Sequence, residues 1–359
     1  MSDRIALPRR SLLAGGLALA ASPTLAATYG RIDKETVVYA SPGGAPQLLD
    51  LYLPQGARRP LPVIVFLHGG GWSGGTRTTG PDFRRFFARD GFAMASIEYR
   101  LTPAGVFPNN LEDVKTAVRW LRTNAGRYGL NPRKIGLWGT SAGGHLASVA
   151  GLSAKGQFEG EGNLSLAGPV QCVLDAYGPV KFDVMDAQTA AEAPTLQKQP
   201  LALTAAPPLI GGVLAPAGAR PAAPPPGPQL HDAPQSAESR LVGAPIQTAP
   251  DRVAAASPLT YVKPGAPPFL IMHGLADNSV PHGQSVMLYE ALAKAGNDAE
   301  LRLIDGLPHT FFNRTNLDEL AGPYRMDVRR TVRGRAEQTS VQTAGVFDVA
   351  RRFFQTHLG

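Results

Sequence analysis

Strand-like patterns of apolar and polar residues recur along the chain. ETVVYA (35–40) and QLLDLYLP (47–54) alternate apolar and polar positions, as half-buried strands do. LPVIVFLH (61–68) is a continuous apolar run followed by glycines, which favours a strand buried on both faces. Further strands are predicted for FAMASIEYR, RKIGLWG, PVQCVLDAYG, PPFLIMHG and ELRLIDG.

Helical spacing separates most of these strands. After Pro108, apolar residues recur every three or four positions, which predicts an amphipathic helix. Helices are also predicted for AGGHLASVAGL, SVMLYEALAKAG and TAGVFDVARRFFQTHL, and from about Asp82 through FRRFFARDG. Strands that alternate with helices predict an α/β fold, with a mostly parallel central sheet flanked by helices on both faces. Ligands in such folds bind at the carboxyl ends of the strands.

Two segments interrupt the α/β pattern. Residues 186–233 are rich in proline and alanine, as in RPAAPPPGPQ, and this composition cannot build a core of its own. Residues 313–338 are polar and basic and are predicted to be a second insertion. We expect a single domain over 28–359 that carries both insertions. The first is either a lid over the site or a disordered surface loop.

The first 27 residues have the pattern of an export signal. Paired arginines, Arg9 and Arg10, precede a short apolar run, and small residues around Ala26 offer a cleavage site. This pattern predicts twin-arginine export to the periplasm or beyond, with an ordinary secretory signal or an uncleaved anchor as alternatives. The apolar run is about ten residues long, too short to span a bilayer.

Composition argues against several other classes of function. The chain carries a net charge of +7, of which the predicted leader contributes +2, and its basic residues form no stripe with interleaved aromatics. Nucleic-acid binding is therefore not expected. Cys172 is the one cysteine, so no internal disulfide can form, and we expect it to be an inert core residue. No Cys/His cluster has the spacing of a metal site.

Two stretches share the pattern Gly-x-Ser-x-Gly, which is typical of a serine nucleophile. Ser141 in GTSAG lies between a predicted strand and a predicted helix, as the sharp turn of a nucleophile elbow requires. Ser73 in GWSGG is followed by glycines, threonines and a proline, so no helix can begin there. Ser141 is therefore the predicted nucleophile.

The glycines of HGGGW precede this elbow in the chain. Their bare backbone N–H groups suit an oxyanion hole, and Gly70, Gly71 and Ala142 are the predicted donors. A merely flexible loop is the alternative. His68 is expected to brace this loop, and Trp72 either lines the acyl pocket or packs in the core.

The acid and the base of a triad are expected later in the chain, in that order. Asp277 follows the strand PPFLIMHG by a short turn, which places it at the same edge of the sheet as the nucleophile. His309 follows the last predicted strand, in the loop DGLPHTF, and is the predicted general base. Asp298 is expected at the opposite edge, and Asp305 lies too close to the histidine.

Together these motifs resemble the α/β-hydrolase superfamily, in its esterase/lipase branch that carries HGGGW and is described as feruloyl-esterase-like or acetyl-hydrolase-like. LDLYLP, VIVFLHGGGW, SIEYRL, GLWGTSAGGHLAS and PPFLIMHGLADNSVP carry the resemblance. It covers most of the chain from about Glu35 to Gly359, apart from the two insertions. Such proteins commonly have glycine after the catalytic histidine, whereas Thr310 follows His309 here.

The resemblance implies a serine hydrolase that cleaves a small-molecule or saccharide ester through an acyl-enzyme, with no metal or organic cofactor. Two alternatives stay open. The same triad could cleave amides, as arylformamidases and prolyl peptidases do, or the fold could be retained as a non-catalytic binding protein. The acyl group, the alcohol and the oligomeric state are not indicated by the sequence.

Overall fold

The computed structural model describes residues 30–160, 162–205, 209–210, 213–214 and 230–359. The predicted leader lies outside the described residues, and so does most of the proline-rich part of the first predicted insertion. Export and the lid therefore stay predictions.

Twelve strands are present in the described part of the chain. They are β1 (Ile32–Ala40), β2 (Gln47–Pro54), β3 (Leu61–Leu67), β4 (Ala93–Ile97), β5 (Leu130–Thr140), β6 (Cys172–Ala176), β7 (Leu209–Ile210), β8 (Val213–Leu214), β9 (Phe269–Gly274), β10 (Ala299–Ile304), β11 (Tyr324–Thr331) and β12 (Gln338–Ala344).

Ten α-helices accompany these strands in the described ranges. They are α1 (Asn109–Thr123), α2 (Ala125–Tyr128), α3 (Ala142–Leu152), α4 (Met185–Glu192), α5 (Leu201–Ala205), α6 (Ala237–Val242), α7 (Pro250–Ala256), α8 (Gly283–Lys294), α9 (Leu317–Ala321) and α10 (Val346–Leu358). Short 3-10 helices cover Pro42–Gly44, Ala88–Asp90, Leu164–Leu166, Phe182–Val184, Ala193–Thr195, Ile246–Thr248, Pro258–Tyr261 and Phe311–Asn313.

Ten of the strands form one sheet in the order β1-β2-β4-β3-β5-β6-β9-β10-β11-β12, and β7 pairs with β8 alone. The six central strands, from β4 to β10, run parallel. At the two edges of the sheet, β1 and β2 on one side and β11 and β12 on the other pair antiparallel with their neighbours. The predicted α/β fold with a mostly parallel central sheet is confirmed.

The apolar core lies on both faces of the sheet. Side chains that alternate along a strand point to opposite faces, so Val65 joins the cluster packed under α1, α3 and α8, and Phe66 joins the cluster under α10. Leu137 and Trp138 divide in the same way. A strand buried on both faces has to be apolar throughout, which is why β3 lacks alternation. Cys172 is fully buried in the second cluster, as expected.

The helix predicted from about Asp82 is wrong. Turns occupy most of this stretch, followed by the short 3-10 helix Ala88–Asp90. Phe87 has φ +60°, which no α-helical residue adopts. Its ring packs 5.0 Å from that of Trp138, and the Phe83 ring lies 4.8 Å from that of Phe66. Aromatic packing against the sheet therefore overrides the local helical spacing.

The region predicted as a polar insertion at 313–338 holds regular structure that we did not predict from the sequence. α9 lies within it, and β11 pairs antiparallel with β10 and extends the sheet. β12 completes a hairpin with β11, and almost all of its residues are exposed. β12 has no apolar face and so carries no strong hydrophobic signal, whereas β11 buries Tyr324, Met326 and Val328 at alternate positions, as a half-buried strand does.

Candidate active site

Ser141 occupies the turn between β5 and α3, at the carboxyl edge of the parallel strands. Its backbone has φ 54° and ψ −122°, a conformation that is strained for a residue with a side chain. The turn is tight: a Cβ on Gly139 would lie 2.0 Å from the carbonyl oxygen of Gly143, and one on Gly143 would lie 2.1 Å from that of Leu67. Glycine at both positions is what allows this elbow to form.

The structure brings the three residues of the predicted triad together. The Ser141 Oγ lies 2.9 Å from His309 Nε2, and His309 Nδ1 lies 2.7 Å from Asp277 Oδ2. Asp277 follows β9 and His309 follows β10, so both loops leave the same edge of the sheet as Ser141. This is the hydrogen-bonded chain that activates a serine hydroxyl.

Asp277 is buried and remains a carboxylate. Burial alone raises its pKa, but the charge of His309 and hydrogen bonds from His273 and His309 outweigh burial and hold the pKa of Asp277 below its ordinary value. Its other oxygen, Oδ1, accepts the backbone N–H groups of Ser279 at 2.8 Å and Val280 at 3.0 Å. Asp277 can therefore hold the imidazole of His309 in one orientation.

His273 is a second neighbour of Asp277 that sequence reasoning did not identify. It is fully buried, and its Nε2 lies 3.2 Å from Asp277 Oδ2 and 2.9 Å from the Val280 carbonyl oxygen. Both are acceptors, so Nε2 carries the proton and Nδ1 accepts from Ser285 Oγ at 2.7 Å. A histidine four residues before the acid, at the end of the same strand, is the signal that could have indicated it.

The glycine loop after β3 lies beside Ser141. Gly70 has φ +119° and Gly71 has φ +56°, and a Cβ on Gly70 would lie 2.4 Å from the Gly74 carbonyl oxygen. Among the described residues, neither the Gly70 nor the Gly71 amide donates to a backbone oxygen. The Ala142 amide is the first of α3 and has no partner within the helix. All three line the cavity above Ser141 and are free to donate into it.

His68 braces the start of this loop, as expected. It is buried, its Nδ1 lies 2.7 Å from the Gly69 carbonyl oxygen, and its own carbonyl accepts the Tyr99 hydroxyl at 2.7 Å. Burial lowers the pKa of His68 to about 4, although the Gly69 contact opposes this change. The ring is therefore neutral near pH 7 and supports the loop without adding charge to the site.

Trp72 lines the cavity and also packs in the core, so it combines the two roles that were predicted as alternatives. Its indole N–H donates to His145 Nδ1 at 3.2 Å, and its ring meets Phe182 edge-on. His145 Nε2 then carries the proton and donates to the Ala256 carbonyl oxygen at 2.7 Å. The cavity wall is thereby tied to α3 and to the residue that ends α7.

Ser73 stands apart from this chemistry. It is exposed in the turn after the glycine loop, and its backbone N–H donates to the Gly70 carbonyl oxygen at 3.1 Å. Its contribution is to the shape of the loop. Thr310 has φ +62°, the left-handed conformation that glycine adopts most readily, so the glycine expected from the resemblance would fit this position without strain.

The cavity above Ser141 has a volume of about 670 Å³. Its lining includes apolar residues, among them Pro179 and Val280, together with a few polar side chains from the segment 231–240.

In the described part of the chain no group of three or more histidine, cysteine or acidic residues could hold a metal ion. Among those residues, no helix is long and apolar enough to cross a membrane.

Comparison with known proteins is consistent with this geometry. The sequence model of the BD-FAE family matches residues 49–208 and 221–292, which is more than half of the chain. Esterase LipC of Mycobacterium tuberculosis is 29% identical over 68% of this chain and 52% of its own length. Esterase LipQ of the same organism is 31% identical over 71% of this chain and 52% of its own length. The chain thus spans about half the length of these curated relatives.

Solved structures resemble it over most of its length. A truncated form of a carbohydrate esterase from gut microbiota aligns with a TM-score of 0.64 and 26% identity, covering 92% of this chain and 97% of that one. The propionate-bound Est2 esterase of Thermogutta terrifontis aligns with a TM-score of 0.57 and 25% identity, covering 80% and 89%. The chain therefore belongs to the BD-FAE family of the α/β-hydrolase esterases and lipases.

Proposed function

We propose that the protein hydrolyses carboxylic esters through an acyl-enzyme intermediate, with Ser141, His309 and Asp277 as the catalytic residues. The observation that carries the proposal is the continuous hydrogen-bonded chain from Ser141 Oγ through His309 to Asp277, at 2.9 Å and 2.7 Å. The relatives described as esterases support the same reaction.

Each residue has a distinct role in this reaction. Ser141 Oγ attacks the ester carbonyl carbon while His309 Nε2 takes the serine proton. The tetrahedral intermediate collapses, the C–O bond to the alcohol breaks, and His309 returns the proton to the leaving alcohol. Water then attacks the acyl carbon while His309 Nε2 takes a proton from it. The second tetrahedral intermediate collapses, the bond between the acyl carbon and Ser141 Oγ breaks, and His309 returns the proton to Ser141 Oγ as the acid leaves. Asp277 orients His309 and stabilises the imidazolium form in both steps.

The negative charge on the carbonyl oxygen is stabilised by the amides of Gly70, Gly71 and Ala142. These groups belong to a rigid loop and to the first turn of α3, so they need little reorganisation when the charge develops. Loss of one such donor costs about 2.7–4 kcal/mol in a related reaction. A non-catalytic binding protein would not need free amides aimed at a nucleophile.

The test is hydrolysis of p-nitrophenyl acetate and butyrate by the purified protein, beside Ser141→Ala and Ser73→Ala. Ser73 lies in the other Gly-x-Ser-x-Gly motif, at 71–75, and is exposed, so it is a matched control. We expect Ser141→Ala to lose activity by several orders of magnitude and Ser73→Ala to keep it. Equal loss in both variants, or no activity in the wild type, would reject the assignment.

The class of substrate is a further part of the proposal. A small-molecule or saccharide ester is supported by the structural neighbour described as a carbohydrate esterase. The amide alternative is tested with p-nitroacetanilide, the amide counterpart of p-nitrophenyl acetate. Faster turnover of the amide would favour an amidase, whereas ester turnover at least tenfold faster would support the esterase.

Export is the last part of the proposal. We infer from the paired arginines Arg9 and Arg10 that residues 1–27 direct the chain through the twin-arginine route. Fractionation of cells that express the full chain tests this, beside a variant with Arg9→Lys and Arg10→Lys. Retention of that variant inside the cell supports the route, and equal export of both proteins rejects it.

A further inference from the structure

A pair of charged side chains forms part of the wall of the cavity above Ser141. His231 and Glu238 are 6% and 4% exposed, and both line the cavity. His231 Nδ1 lies 3.0 Å from Glu238 Oε1. Glu238 belongs to α6, and His231 precedes that helix, so the Glu238–His231 pair is built within one short segment. The proposed reaction uses neither residue.

The pair is held in position by Asp186, and its contacts favour the protonated form of His231. The Asp186 carboxylate accepts the backbone N–H groups of His231 at 2.7 Å and Asp232 at 3.1 Å, which anchors His231 beside α6. Burial lowers the pKa of His231, but the hydrogen bond and charge of Glu238, together with the charge of Asp186, raise it overall. Protonated His231 therefore forms an ion pair with Glu238 in the wall of the cavity.

One oxygen of this carboxylate is left without a donor. Glu238 Oε2 has no hydrogen-bond partner among the described residues, although the side chain is almost wholly buried. Much of the neighbouring lining is apolar, including Trp72, Pro179 and Val280. Oε2 itself is not fully buried and opens on the cavity. A substrate that fills the cavity displaces water from this oxygen, and the free-energy cost of leaving it unpaired is avoided if the substrate supplies a donor. We propose that Glu238 Oε2 accepts a hydrogen bond from a hydroxyl group of the substrate.

The charges around the pair favour a neutral donor over a cation. His231 already compensates Glu238, and Arg240 also lines the cavity, so an ammonium group would meet positive charge. An anionic group would meet the Glu238 carboxylate itself. A hydroxyl group satisfies Oε2 without either repulsion.

The hydroxyl group lies on the alcohol part of the ester, an assignment that rests on the proposed function. The leaving alcohol takes its proton from His309, so it lies on the side of that residue. Ser279 and Val280 belong to the loop that carries Asp277, the partner of His309, and both line the cavity with His231. The Ser279 backbone also helps to raise the pKa of His231, so the two residues lie near each other. The pair is therefore placed to select among alcohols.

The test compares two acetates that differ only in hydroxyl groups, glycerol 1-acetate and n-propyl acetate. We expect the wild type to hydrolyse glycerol 1-acetate with a kcat/KM at least tenfold higher, because a hydrogen bond to a charged group is worth about 10- to 150-fold. Glu238→Gln, which keeps the size of the side chain but removes its charge, should lower this ratio at least tenfold. Glu290→Gln, an exposed glutamate of α8, should leave the ratio unchanged.

The wild-type ratio keeps the proposal falsifiable even if Glu238→Gln fails to fold. A wild-type ratio near one, or a ratio unchanged in Glu238→Gln, would overturn it. A hydroxyl preference that appears instead between methyl lactate and methyl propionate would place the group on the acyl part and would also overturn it. If Ser141→Ala abolishes hydrolysis of both acetates while no hydroxyl preference exists, only this inference fails. Hydrolysis that persists in Ser141→Ala rejects the proposed function.

Discussion

Asp175 is a buried carboxyl group whose replacement should stabilise the protein in a pH-dependent way. It lies in β6, where Ser148 Oγ donates to Oδ2 at 2.5 Å and the Gly178 N–H donates to Oδ1 at 2.9 Å. Burial raises the pKa of Asp175 from 3.8 to about 6, and the bonds from Ser148 and Gly178 only partly oppose it. At 1.36 kcal/mol for each pKa unit, this difference corresponds to about 3 kcal/mol.

The direction of the effect follows from the raised pKa. The folded protein binds the Asp175 proton more tightly than the unfolded chain, so this group favours folding most below the unfolded pKa of about 3.8. Its contribution is lost as the pH rises through about 6. Asp175→Asn cannot ionise and keeps an oxygen for Gly178. Relative to the wild type, the variant should gain about 2–3 kcal/mol in its free energy of unfolding between about pH 4 and about pH 8.

Urea unfolding of wild type and Asp175→Asn across this pH range measures the gain directly. Contributions from other titrating groups cancel in the difference between the two proteins. Asp183→Asn is the matched control, because Asp183 is exposed and its ion pair with Lys181 lies at the surface. A difference between Asp175→Asn and wild type that stays constant with pH would refute the reasoning.

Variants at three further positions test the site. Gly70→Ala places a Cβ 2.4 Å from the Gly74 carbonyl oxygen and displaces an oxyanion donor, so kcat for p-nitrophenyl acetate should fall about 10²–10³-fold. Thr310→Gly removes the strain of a left-handed backbone, which costs about 1–2 kcal/mol for a residue with a side chain. Glycine loses more conformational entropy on folding, so the net gain in the free energy of unfolding should be about 0.5–1 kcal/mol, seen as a higher urea midpoint. A lower midpoint contradicts this. His273→Leu removes a donor to Asp277 and should lower kcat about tenfold at constant KM, with partial recovery in His273→Gln; a change in KM alone would argue against a positioning role.

Residues close together in sequence determined the nucleophile elbow. A strand turns sharply into a helix at Ser141, and this turn leaves no room for side chains at Gly139 and Gly143. A Cβ at these two positions would lie 2.0 Å and 2.1 Å from a carbonyl oxygen. The same local logic placed β3, β5 and α3 correctly. Chain order and the carboxyl-edge rule were then enough to select Asp277 and His309 from the other acids and histidines.

Features that depend on contacts formed only in the folded chain were not predicted from the sequence. His273 has the right spacing, four residues before Asp277, but its bond to Val280 forms only when the loop after β9 folds back on it. The Glu238–His231 pair requires α6 to close over the cavity, and Asp186 to hold the chain beside it. The failed helix after Asp82 has the same origin, because the packing of Phe87 on Trp138 outweighs local spacing.

The sequence by itself thus determined the α/β fold and the three residues of the proposed triad, because strand and helix periodicity and the steric demands of a tight turn are properties of neighbouring residues. Tertiary structure decided the exposed strand β12, the residues that hold Asp277, and the polar wall of the cavity. These depend on packing and on hydrogen bonds that form only when the segments meet in the folded chain, such as the bond from the His231 N–H to Asp186, 45 residues away in the sequence. No local pattern encodes such pairings, since their free energy appears only when the segments meet.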